Sequence, residues 1–376
     1  MDLKIRYLHN PVTVDLKEKM VFIGGPRQVG KTTMSRSIAG LATYLNFDNL
    51  QDKKIILKGQ FFPNYSGLVI LDEIHKYRLW RNLIKGEFDK FYPDINFLIT
   101  GSAQLDYFRK GGDSLVGRYH YYRLHPFSVS ELDKNYSRST LEDLFNFSGF
   151  PEPFFKANTR ALKRWQMERI NRVVEQDVRD LSMIKDISNL TLLAEILPSR
   201  VGSLLSVKSL AEDLMVSPHT INNYLDIFEN IYLSFRIYPY GVHKLKAIKK
   251  TPKIFLWDWT QVEMKGPRFE NLVASHLLKY CHFHTDYNGD KMELRFLKDV
   301  EGREVDFVVL KNNKPQFMVE CKSGDRALSP SLSYYQTRHK IPMAYQVHMG
   351  TQKKGNPLRG GMLLPFTEFC KEVQLV

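Results

Sequence analysis

Cysteine is scarce, with Cys281, Cys321 and Cys370 the only three among 376 residues. Their spacing suits neither a zinc ligand set nor an even disulfide framework, and a reducing compartment fits them. Long apolar runs are missing too. No stretch approaches the roughly 18 residues of a membrane-spanning helix, and the opening MDLKIRYLHN has no apolar core of signal-peptide length. There is no internal repeat and no low-complexity segment. The expectation is a cytoplasmic globular protein with room for two or three domains and no membrane partner. Negative charge is the other shortage. Against 54 Lys plus Arg stand 41 Asp plus Glu, a net charge of +13. Such a surplus draws polyanions, with nucleic acid the first candidate.

What is present begins with three short apolar runs: MVFIG at 20–24, LVIL at 68–71 and NFLIT at 96–100. Each ends on polar residues, and helical patterns separate them. That order predicts buried parallel strands of an α/β sheet whose ligand edge lies at the strands' C-terminal ends.

The first run enters Gly25-Pro26-Arg27-Gln28-Val29-Gly30-Lys31-Thr32-Thr33, which matches G-x-x-x-x-G-K-[ST] at every fixed position. Glycines at those places let backbone N–H groups turn toward phosphate oxygens, and the following helix adds its positive N-terminal end. Lys31 is expected on the β- and γ-phosphates of ATP, and Thr32 on Mg²⁺. The second run ends on Asp72-Glu73: Asp72 is expected to hold Mg²⁺, usually through water, and Glu73 to polarise the attacking water. The third ends at Thr100, Gly101 and Ser102. Thr100 and Ser102 either touch the γ-phosphate or the attacking water, or merely cap a strand end. Arg118, in SLVGRYHYY, is either a surface residue or an arginine that offers positive charge to a γ-phosphate, its own subunit's or a neighbour's.

These runs, GPRQVGKTT, LDEIHK, LITGSAQ and LVGRYHYYRLHPFSVSEL, followed downstream by TPKIFLWD and EVDFVV…VECKSG, resemble the prokaryotic AAA+ ATPases that end in a DUF4143 domain. The resemblance spans nearly the whole chain. It implies a P-loop AAA+ core at 1–135, a helical lid at 136–200, a winged helix at 201–253 and a restriction-endonuclease-like α/β domain of PD-(D/E)XK type at 254–376. Where this chain reads TPKIFLWDWTQ, relatives more often read YFYDTGL, which leaves the role of Asp258 open.

Asp306 in EVDFVVL and Glu320 and Lys322 in QFMVECK have the order of a metal-dependent nuclease, and Glu270 on a preceding helix completes the carboxylate set. Two carboxylates on Mg²⁺ would lower the pKa of bound water, with the lysine placing it. The same residues also suit a fold that only grips DNA or serves as a scaffold. Upstream, Ser217 and Pro218 predict the start of a helix. His219, Thr220, Asn222 and Asn223 lie near that start, where a groove-entering helix meets base edges. The lysine-rich stretch 244–253, with Lys244, Lys246, Lys249 and Lys250, is expected as a phosphate-binding wing. Trp257 and Trp259 are expected in the core.

The sequence therefore points to an ATPase working on duplex or branched DNA such as Holliday junctions. A homo-oligomeric ring is the expected assembly, with a hexamer as one option. Two other readings are an ATP-dependent assembly switch that binds a partner protein in signalling or defence, and an ATP-regulated Mg²⁺-dependent nuclease.

Overall fold

A computed structural model describes residues 4–38, 42–59, 67–101, 115–174, 187–241, 251–322, 324 and 326–376. They form two compact units. The first holds the described residues up to His125 together with Asn230–Tyr232, and the second holds the rest.

In the first unit, strands β1 (Met20–Gly24), β2 (Thr43–Asn46), β3 (Gly67–Asp72), β4 (Ile95–Thr100) and β5 (Tyr119–Arg123) make one sheet in the order β2-β3-β4-β1-β5. Every neighbouring pair is parallel. Helices Lys31–Ile38, Leu50–Lys58 and Trp80–Phe91 lie between the strands in sequence, the arrangement that parallel pairing requires. The helix Leu50–Lys58 shows how local chemistry sets such boundaries. The Asn49 side chain accepts from the backbone N–H of Gln51 and Asp52 at its start, and Gly59, at φ 65°, ends it. Phe22, Trp80, Ile84, Phe97 and Ile99 are buried together in the core of this unit, each contributing roughly 1.5–3 kcal/mol by burial. Because all five strands run the same way, Gly24, Asn46, Asp72, Thr100 and Arg123 finish at one edge of the sheet.

The second unit begins with the short helix Val129–Leu132, followed by helices that include Arg138–Phe147 and Thr159–Arg172, capped by the side chains of Ser137 and Asn158. Helices Ile187–Ile196, Val207–Asp213 and Pro218–Asn230 follow, then an antiparallel pair, β6 (Ser234–Pro239) and β7 (Lys253–Leu256). Strands β8 (Met292–Lys298), β9 (Glu304–Lys311), β10 (Lys314–Cys321), β11 (Met343–His348), β12 (Lys354–Asn356) and β13 (Gly361–Pro365) complete a mixed sheet of order β12-β13-β11-β10-β9-β8-β6-β7. β6 joins it by parallel pairing of Tyr238 and Pro239 with Arg295 and Phe296. The 24-residue helix Lys265–Asn288 buries Phe269, Leu272, Val273 and Leu277 and ends at Gly289, φ 73°.

Segment 126–132 is tied into this unit by that helix. The Val129 N–H donates to Nε2 of His276 at 3.2 Å, and the Lys279 ammonium donates to Ser128 Oγ at 2.8 Å and Glu131 Oε2 at 2.6 Å. Trp257 and Trp259 are buried, as expected. Asp258 is buried as well. One of its carboxylate oxygens accepts from Ser148 Oγ at 2.8 Å and Thr260 Oγ1 at 2.6 Å, which makes it a tie that caps the turn Trp259–Gln261. No helix among the described residues is long and apolar enough to cross a membrane.

Candidate nucleotide site

The P-loop leaves β1 through Gly25, whose φ of 147° belongs to glycine. A Cβ there would stand 2.4 Å from the Leu124 carbonyl oxygen, so only glycine lets the loop pass the end of β5. Gln28, at φ 65°, and Gly30, at φ 98°, carry the turn into the helix Lys31–Ile38. Pro26 and Val29 are buried, Arg27 and Gln28 are half-buried, and Thr33 is exposed. Lys31 is buried and its ammonium donates to the carbonyls of Gly25 and Pro26, each at 2.8 Å. Arg6 braces the loop from the N-terminal segment, donating to the Val29 carbonyl at 2.7 Å and also to the His125 carbonyl. Nothing in the motif pointed to Arg6, since its role depends on a fold contact over 23 residues of chain.

Asp72 is the hub. Its Oδ2 accepts from Thr32 Oγ1 and from Tyr44 OH, both at 2.7 Å, and its Oδ1 accepts from Thr100 Oγ1. Burial pushes this carboxyl up. The bonds from Thr100, Thr32 and Tyr44, with the Lys31 charge, outweigh burial and hold it below the usual Asp range. Thr100 is fully buried and bonded to Asp72 because β4 lies between β1 and β3 and places the two residues in register. Its hydroxyl holds the Asp72 carboxylate in this arrangement. Tyr44 went unseen in the sequence because β2 is short and only partly buried.

Glu73 has φ 56°, a left-handed conformation uncommon outside glycine that turns the chain at the end of β3. Its Oε2 is buried and makes no hydrogen bond, with Lys76 Nζ at 3.9 Å and His75 Nδ1 at 3.7 Å. Burial raises the Glu73 pKa. Burial also drives His75 down to about 3, so its ring is neutral and the approach to Glu73 is not an ion pair. Thr32 and Asp72, bonded to each other, offer oxygen donors of the kind Mg²⁺ takes alongside nucleotide phosphates. The residues fit the ion.

Arg118 stands elsewhere. Its carbonyl accepts from the Met20 N–H, so it lies at the start of β5, beside the start of β1. Gly24 is about 13 Å away along the strand at the usual rise per residue. The guanidinium grips Asp89, Nε to Oδ1 at 2.7 Å and Nη2 to Oδ2 at 3.1 Å. That bond holds the Arg118 guanidinium at the edge of the sheet opposite the P-loop. Ser102 lies outside the described residues.

In the second unit, Ser217 caps the helix Pro218–Asn230, as expected, by accepting from Thr220 N–H at 3.1 Å. His219, Asn222 and Asn223 are exposed and Thr220 is half-exposed, while Ile221, Tyr224, Leu225 and Phe228 pack inward at helical spacing. Lys244, Lys246, Lys249 and Lys250 lie outside the described residues. Lys253, counted in the sequence with that basic wing, is instead a buried residue of β7. Its ammonium meets Glu304 Oε1 at 2.5 Å, Glu270 Oε1 at 3.0 Å and Asp306 Oδ1 at 3.4 Å. Lys322 bonds Glu320 Oε1 at 2.5 Å, and Asp306 Oδ2 accepts from the Cys321 N–H at 2.8 Å. The four residues singled out in the sequence thus do gather, with Lys253 and Glu304 added.

Comparison with known proteins agrees with this organisation. An AAA domain matches residues 17–133, a domain of unknown function, DUF8612, matches 138–260, and DUF4143 matches 265–369. An uncharacterised protein of Mycobacterium tuberculosis is 26% identical over 353 residues, covering 86% of this chain and 78% of the relative. One from Methanocaldococcus jannaschii is 26% identical over 332 residues, covering 70% and 69%. Among solved structures, the RuvB Holliday junction branch migration motor of Thermotoga maritima aligns at 18% identity and TM-score 0.28, over 65% of this chain and 92% of that one. That superposition is too loose to carry residue equivalences. The chain thus carries a match to an AAA domain toward one end and to DUF4143 toward the other.

Proposed function

We propose that this protein hydrolyses ATP and couples the turnover to work on DNA. The observation that carries the first half is the convergence of the P-loop, Asp72 and Glu73 on one edge of a parallel sheet, with Asp72 already bonded to Thr32. In this reading Lys31 exchanges its bonds to Gly25 and Pro26 for β- and γ-phosphate oxygens. Bound Mg²⁺ would neutralise charge on those oxygens, and Thr32 and Asp72 are the residues to hold it. Glu73, desolvated and hydrogen-bond poor, takes the proton side of the attacking water. Arg118, at the edge of the sheet opposite the P-loop, supplies positive charge to the site of a neighbouring copy, so a ring or partial ring is part of the proposal.

The DNA half is supported by the net charge of +13 and by the exposed polar start of the helix Pro218–Asn230. Three helices followed by the β6–β7 pair have the layout of a winged helix, with His219, Thr220, Asn222 and Asn223 offered to base edges. The test is binding of duplex, single-stranded and four-way-junction DNA at low salt, where phosphate attraction is strongest. Binding that weakens with salt, and with His219→Ala plus Asn223→Ala, supports the reading. No binding to any form at low salt removes it and favours the assembly switch.

A further inference from the structure

We propose that the carboxylate cluster of the C-terminal sheet is closed around the ammonium of Lys253 and takes no divalent cation. A nuclease of the restriction-enzyme type would fill Glu270, Asp306 and Glu320 with Mg²⁺. The residues here are arranged for a different occupant. Lys253 is 1% exposed and arrives from β7, whose four residues are all buried. Its three N–H donors meet three carboxylates, Glu304, Glu270 and Asp306, from β9 and the helix Lys265–Asn288. An ion bound by the same oxygens would need them at about 2.0–2.6 Å, in the space the ammonium holds. It would also sit against a positive charge a few ångström away in a site of low dielectric.

The remaining donors are engaged in the same way. Asp306 Oδ2 is bonded to the Cys321 N–H and Glu320 Oε1 to Lys322. Glu320 Oε2 is buried with no hydrogen-bond partner, the one acceptor of that pair left over. Gly202, at φ 77°, has no side chain because a Cβ would come within 2.9 Å of Glu270 Oε2. Charge closes without a metal. Lys253, Lys322 and Lys298, the last bonded to Glu304 Oε2 at 2.6 Å, face the four carboxyls of Glu270, Glu304, Asp306 and Glu320, and burial with the Asp306 charge pushes Glu270 up to about 8 and Glu320 up to about 7. A proton on one of those two leaves three positive and three negative charges. Among the described residues, no group of three or more His, Cys, Asp and Glu side chains has the geometry to hold a metal ion. Lys253 therefore locks β7 to the C-terminal fold in the place where a cofactor ion would sit, which leaves this domain to grip or to scaffold.

The test is Mn²⁺ binding, followed by electron paramagnetic resonance, to the full chain without nucleotide and carrying Asp72→Asn to silence the P-loop site. This readout involves neither ATP turnover nor DNA. The expected result is no saturable site at millimolar Mn²⁺ while Lys253 is present. In Lys253→Ala one Mn²⁺ per chain is expected to bind, and to be lost again on adding Asp306→Asn. A stoichiometric Mn²⁺ site in the chain that keeps Lys253, abolished by Asp306→Asn, overturns the proposal. A folded Lys253→Ala chain that still binds no Mn²⁺ also overturns it. If Lys253→Ala does not fold, the comparison with and without Asp306→Asn in the Lys253 chain still decides.

Discussion

The Thr32 hydroxyl donates to Asp72 at 2.7 Å across 40 residues of chain, so the two groups assigned to one Mg²⁺ ion are neighbours in the fold itself. Thr100 holds the other oxygen of the same carboxylate. Thr100→Val removes a hydrogen bond to a charged group, a loss of about 1.5–3 kcal/mol. Hydrolysis is expected to fall roughly tenfold or more while ATP binding persists. With that donor gone, the Asp72 pKa rises, so the acid limb of the kcat profile moves to higher pH. A pH–rate profile of the variant beside the wild type checks both.

Glu73 is raised by burial, so its carboxylate form is lost at a higher pH than for an ordinary glutamate. A base must be deprotonated to act, and kcat is expected to drop as pH falls through that raised value. Glu73→Gln removes the dependence together with about 10²–10⁴ of the rate. ATP affinity, read by equilibrium binding, stays near the wild-type value.

How much of this site was legible in the sequence follows from which contacts are local. Gly25–Thr32 and Asp72-Glu73 are readable because each motif is contiguous and sits at the end of an apolar run. Tyr44 and Arg6 are not, because they meet the site only through strand order and a tertiary contact. Strand β5, YHYYR, carries no apolar signature because it is an edge strand with four of five residues half-exposed. Lys253 misled for a related reason. Composition groups it with its lysine-rich neighbours, and only the pairing of β7 with β6 puts it inside the protein.

Arg118 at the far edge of the sheet makes a prediction about mixtures. Arg118→Ala is expected to lower turnover by about 10³–10⁵ if it serves a neighbour's γ-phosphate. Mixing Arg118→Ala with Glu73→Gln, each inactive alone, should restore partial activity, since some interfaces then pair an intact Glu73 with an intact Arg118. Mixtures as inactive as their parts would place Arg118 outside the chemistry, as a surface partner of Asp89.

The Lys279–Glu131 pair has 2% exposure on each side chain. Lys279→Met leaves the Glu131 charge buried without its cation, and about 3–5 kcal/mol of stability should be lost. Adding Glu131→Leu should recover much of it, because both charges are then gone. Denaturant unfolding of the single and double variants measures the difference.

Glu270 gives a pH signature to the second unit. Its pKa, pushed up to about 8 by burial and the Asp306 charge, lies above the ordinary glutamate value. Between those values the folded chain holds a proton that the unfolded chain releases, so stability falls as pH rises through the window. Glu270→Gln removes that slope. Its melting temperature relative to wild type should therefore climb as pH is raised from about 5 to about 8, and a constant difference across that range would contradict the assignment.

Steady-state ATP hydrolysis is the most direct test, measured with no DNA, single-stranded DNA, duplex and a four-way junction, with Glu73→Gln as the background. The account predicts turnover that one DNA form stimulates and that Glu73→Gln abolishes. Turnover indifferent to every DNA form, or equal in wild type and Glu73→Gln, would contradict it.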